Sequence, residues 1–108
     1  MEQALVLAHG AGSNANAPVL IRACEAFAGA GFACLRIDLP FRQTRPSGPP
    51  HPSFAAKDQA GIREAVEAMR GLGAQRIVLG GHSYGGRQAS MLAAEDPGVA
   101  DILLLFAY

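Results

Sequence analysis

The chain has 108 residues, half of them hydrophobic and 17% charged, which fits one globular domain and not a disordered segment. Nine basic residues balance nine acidic ones, so nothing in the charge points to nucleic acid or an anionic membrane as a partner. The opening M-E-Q-A-L-V-L-A-H-G lacks a basic lead and its apolar run is short for a signal peptide. No stretch approaches the roughly 20 apolar residues of a membrane span, and the default reading is a soluble cytoplasmic protein.

Ala4 to Ala8 is a continuous apolar run closed by His9-Gly10, as expected of a strand buried on both faces. Residues 10 to 17 have a loop composition. Asn16 is placed to cap a helix with Pro18 in its first turn, running to about Ala28 with Leu20, Cys24, Phe27 and Ala28 on one face. Gly29-Ala30-Gly31 ends it. Phe32 to Ile37 is a second strand. Residues 38 to 52 hold five of the seven prolines and read as one long loop. Ser53 caps a helix to about Arg70 that buries Ala56, Ala60, Val66 and Met69, with Ile62 near the edge, and Gly71-Leu72-Gly73 closes it. Arg76 to Gly80 is a third strand, Tyr84 to Glu95 a third helix, and Ala100 to Ala107 a fourth strand. Cys24 and Cys34 read as buried, reduced thiols, and no Cys/His grouping has metal-ligand spacing, so neither metal nor cofactor is expected.

The order β-α-β-α-β-α-β predicts an α/β fold: a parallel sheet of about four strands, right-handed crossovers and helices on both faces. Ligands in such sheets sit at the carboxyl ends of the strands, where both glycine turns, 10–12 and 80–86, fall.

Gly81-His82-Ser83-Tyr84-Gly85 matches G-x-S-x-G between a strand and a helix. A serine on so sharp a turn stands clear of the sheet, its neighbours lie too close for side chains, and the helix N-terminus favours an oxyanion. Acyl transfer needs two backbone N–H donors at that oxyanion. The amide of Tyr84 would be one and that of Ala11, in His9-Gly10-Ala11-Gly12, the other. The pair H-G-A-G and G-H-S-Y-G-G resembles the α/β-hydrolase superfamily. R-I-D-L-P-F and G-G-R-Q-A-S resemble its small dienelactone-hydrolase-related bacterial branch. The resemblance implies Ser83 as nucleophile and the Ala11 and Tyr84 amides as oxyanion hole. It also places the first strand between the second and third, with the fourth beyond the third. A small ester or acyl compound would be the substrate.

Serine needs a base, normally oriented by a carboxylate. In this superfamily both follow the serine, yet no histidine follows Ser83 here. His82 is adjacent and should point away; His9 reads mainly as a residue that holds the oxyanion loop; His51 lies in the proline-rich segment. Each is a poor candidate for the base. Arg87 suits a substrate anion or, more simply, an ion pair with an acid such as Asp38, while Arg42 and Arg45 read as solvated loop charges. The chain thus reads as a partial hydrolase fold, a fragment or one half of a site that another chain completes. Its last strand would leave an apolar edge at residues 100–108 on which copies should associate. Two further readings compete: a non-catalytic interaction protein on a hydrolase scaffold, and a dinucleotide-binding module using Gly10, Gly12 and Asp38. A P-loop is excluded, because neither glycine turn ends in Gly-Lys-Ser/Thr.

Overall fold

A computed structural model of the chain describes residues 2–107. Four parallel strands form one sheet: β1 (Gln3–Ala8), β2 (Ala33–Ile37), β3 (Arg76–His82) and β4 (Ile102–Phe106). They lie in the order β2-β1-β3-β4, as the family resemblance implied. Ala4 pairs with Ala33 on one side and Ile77 on the other, and Val78 pairs with Ile102. Residues 4–8 of β1 are fully buried. Ala4, Val6 and Ala8 face one core, and Leu5 and Leu7 face a second, which is why this strand has no polar alternation.

Helix α1 (Pro18–Gly29) covers the Leu5/Leu7 face through Leu20, with Cys24 and Phe27 packed beside it. Its N-cap is Ala17, not Asn16, whose Oδ1 instead accepts a hydrogen bond from Arg36. At its C-terminus Gly31 takes φ +92°. The Phe32 and Gly31 amides then reach back to the Phe27 and Ala28 carbonyls, and the Phe27 and Phe32 rings meet edge-on at 5.0 Å.

The opposite face is covered by α2 (Pro40–Thr44), α3 (Ala55–Gly71) and α4 (Tyr84–Glu95). The proline-rich stretch is therefore not all loop. Pro40 sits in the first turn of α2, where its fixed φ suits helix entry and its missing N–H costs nothing. Helix α3 follows a short 3₁₀ turn (Pro52–Phe54) and is rotated from the expected phase. It buries Asp58, Ile62, Ala65, Val66 and Met69, while Ala56 and Ala60 are exposed. A buried carboxylate at the first of these positions is what apolar patterning could not anticipate. Helix α4 has the expected bounds. Among the described residues, no helix is long and apolar enough to cross a membrane.

Candidate active site

A single residue, Ser83, separates β3 from α4. It has φ 54° and ψ −116°, a conformation that costs a side-chain-bearing residue about 1–3 kcal/mol. Backbone packed on backbone holds it there. A methyl group on Gly81 would stand 2.5 Å from the carbonyl carbon of Gly85, and one on Gly85 would stand 2.6 Å from the carbonyl carbon of Ala8. The Ser83 amide donates to the Phe106 carbonyl at 3.0 Å, tying the turn to β4.

The turn after β1 lies against this one. A methyl group on Gly10 would come 3.7 Å from Cβ of Ser83. The Gly10 carbonyl accepts from the Ser13 amide at 3.1 Å, closing the turn, and lies 2.8 Å from Nδ1 of His9. Among the described residues no peptide is cis, so each N–H points opposite to the carbonyl before it. With the Gly10 carbonyl turned to His9, the Ala11 N–H faces away from that ring. Among the described residues, neither the Ala11 amide nor the Tyr84 amide has an acceptor within the protein. Gly12 is exposed, and a methyl group there would meet nothing within 4 Å.

His9 is fully buried. Its Nε2 accepts from the Leu39 amide at 3.0 Å, so the proton is on Nδ1 and is donated to Gly10. Burial holds its pKa below the usual 6.5. The ring is thus neutral, with both nitrogens engaged. His82 lies beside Gly10, its Nδ1 3.2 Å from where a methyl group there would stand. Exposed His51 caps the 3₁₀ turn through the Ser53 amide. Among the described residues, no imidazole hydrogen-bonds to Ser83.

The segment after β2 supplies what sequence reading missed. Arg42 is not a solvated loop charge; it is 8% exposed. Its Nε donates to the Ser13 carbonyl at 2.7 Å, NH2 to Ala11 at 2.9 Å and NH1 to Arg45 at 2.9 Å. Its guanidinium lies 4.7 Å from the centre of the Phe41 ring. That ring in turn packs against His9 and Tyr84 at 5.5 and 5.6 Å. Buried Asp58 accepts from the Phe41 amide at 3.0 Å and from the Tyr84 hydroxyl at 2.5 Å. Burial, then the bond to Asp58, pushes the Tyr84 phenol far above its usual 10. Proline followed by an aromatic residue at the end of β2 is the signal that could have marked α2 as an element.

The expected Arg87–Asp38 pair does not form. Arg87 is exposed, the Asp38 carboxylate accepts from the Ala15 amide at 2.8 Å, and the ion pair among the described residues is Arg63–Asp96. The dinucleotide arrangement fails with it, since Asp38 is spent on the loop and α1 starts at Pro18, beyond the glycine turn. Among the described residues, no group of three His, Cys, Asp or Glu is placed to hold a metal ion.

A family model described as an alpha/beta hydrolase domain matches residues 1–108. The chain belongs to the alpha/beta hydrolase domain family. No curated protein matches it. Solved structures share the domain's fold. A proposed hydrolase of the alpha/beta superfamily from Xanthomonas campestris pv. campestris aligns with 97% of the chain at 23% identity and a TM-score of 0.72. Polyneuridine aldehyde esterase aligns with 97% at 17% identity and a TM-score of 0.68. BorB, the type II thioesterase from the borrelidin biosynthetic cluster, aligns with 97% at 22% identity and a TM-score of 0.56. The domain spans only 57%, 40% and 41% of these three chains.

Proposed function

We propose that this hydrolase domain carries the nucleophile half of a serine acyl-hydrolase site acting on small esters or related acyl compounds. The observation that supports it most is Ser83 at φ 54° between strand and helix, against a loop whose Ala11 amide is unpaired. In this reading Ser83 Oγ attacks the ester carbonyl carbon. The tetrahedral oxyanion accepts hydrogen bonds from the Ala11 and Tyr84 amides at the positive end of α4. The alcohol leaves with a proton, and water then releases the acid from Ser83. His9, Gly10, Gly12, Gly81, His82, Gly85 and Arg87 line or support the two turns. The dienelactone-hydrolase-related lineage stays part of the proposal, resting on R-I-D-L-P-F and G-G-R-Q-A-S.

The base is proposed to come from residues outside these 108. His9 has both nitrogens engaged, and neither His51 nor His82 hydrogen-bonds to Ser83. The β4 edge is where we place the complement. Ile102, Leu103 and Leu105 are 43%, 39% and 38% exposed on a strand that, among the described residues, pairs with β3 alone; Tyr108 lies outside the described residues. A second copy joined there is the proposed partner of the chain on its own; it covers the edge but brings no new base. A second reading, a scaffold that binds without catalysis, is favoured because no imidazole among the described residues hydrogen-bonds to Ser83. Reaction with a fluorophosphonate separates the two. An adduct on Ser83, absent in Ser83→Ala, supports the hydrolase, and no adduct supports the binding scaffold.

A further inference from the structure

We infer that Arg42 is a positioning residue, whose guanidinium fixes the direction of the Ala11–Gly12 and Ser13–Asn14 peptides and so shapes the amide surface offered to Ser83. The inference takes the proposed serine chemistry as its setting but rests on its own geometry. Arg42 reaches across from α2 to a loop about thirty residues earlier in the chain. It holds the Ala11 and Ser13 carbonyls with two of its nitrogens and the Arg45 carbonyl with the third. The planar fork of a guanidinium can take two carbonyls at once at fixed spacing, which a lysine ammonium cannot. Because the peptides are trans, a carbonyl held toward Arg42 sends the following N–H, of Gly12 or Asn14, to the other side. His9 acts likewise on the Gly10 carbonyl and the Ala11 amide. Two side chains that share the Phe41 ring thus set consecutive peptides. The Arg42 partners are all carbonyls, and no carboxylate pairs with it among the described residues. Its positive charge therefore stays unneutralised beside a loop that is to receive an oxyanion. Phe41 backs the guanidinium and keeps it from swinging to solvent.

The test uses the full chain with Arg42→Met and Arg42→Lys. Amide ¹⁵N order parameters at Ala11 and Gly12 should fall from the rigid range near 0.85 toward 0.6 or less in Arg42→Met, with β1 and α4 unchanged. Arg42→Lys, which keeps the charge on a single donor nitrogen, should fall between. Phosphonylation of Ser83 should slow by up to about tenfold in Arg42→Met and recover in part in Arg42→Lys, because a loosened Ala11–Gly12 peptide loosens the adjoining Ala11 amide, an effect smaller than the about 10²–10³ that outright loss of one oxyanion donor costs. If Arg42→Met does not fold, Arg42→Lys carries the test against wild type. A loop as rigid as wild type in the folded variants overturns the inference. Wild-type Ser83 that never reacts overturns the serine-hydrolase proposal instead, and leaves the order parameters to decide on Arg42.

Discussion

Gly85→Ala tests the backbone packing that forces the Ser83 turn. The added methyl would stand 2.6 Å from the carbonyl carbon and oxygen of Ala8 and nearer still to the His9 carbonyl oxygen. Carbon contacts settle at about 3.5–4.0 Å, so α4 must withdraw by about 1 Å from the end of a fully buried strand. Overpacking of this kind costs about 1–3 kcal/mol, and with backbone as the obstacle the upper figure applies. Alanine regains up to about 1 kcal/mol of helix propensity, which leaves a net loss of about 2 kcal/mol. For a domain this small that is a melting temperature lower by about 8–16 °C. Gly29→Ala is the matched control. It is also a helical glycine, but its methyl would meet nothing within 4 Å, so the melting point should hold or rise by a few degrees. Thermal unfolding followed by circular dichroism measures both. Equal melting points for wild type and Gly85→Ala would refute the packing argument.

Asp58→Ala leaves the buried Phe41 amide and the part-buried Tyr84 hydroxyl without partners and should cost about 2–4 kcal/mol in urea unfolding, more than Tyr84→Phe, which removes one of the two bonds. A pH series reads His9. Its folded pKa is lowered, so below about 6.5 the unfolded chain binds the proton that the native one refuses. Stability should therefore fall as pH drops from 7.5 to 5.5, by up to about 1.4 kcal/mol per pH unit, and that component should vanish in His9→Gln. Leu103→Lys places a charge on the open edge of β4 and should shift light-scattering mass toward the monomer; a wild-type chain that is already monomeric would remove the proposed self-association.

The frame was legible because local signals agreed with tertiary needs. The unbroken run Ala4–Ala8 announces a central strand, the glycines at 29–31 and 71–73 stop two helices, and the glycines around Ser83 mark a turn too tight for side chains. The supports of the site were not legible, because they are polar groups that become buried only through distant partners. Asp58 looks like a surface residue of an amphipathic helix until the Phe41 amide and the Tyr84 hydroxyl meet it. Arg42, in a run of prolines and charges, looks solvated until the Ala11 and Ser13 carbonyls come within reach. Asn16 has the side chain of a helix cap, but that side chain is taken by Arg36, from a strand later in the chain.

The most direct test of the account is the site of fluorophosphonate attachment, mapped by peptide mass spectrometry on the native chain and on the chain in urea. The account predicts a slow adduct on Ser83 in the native chain, ahead of Ser13, Ser47, Ser53 and Ser90, and none of that preference once unfolded. On the proposed half-site, a residual rate is expected from the two oxyanion amides. Labelling spread evenly over the serines, or the same with and without urea, would contradict it.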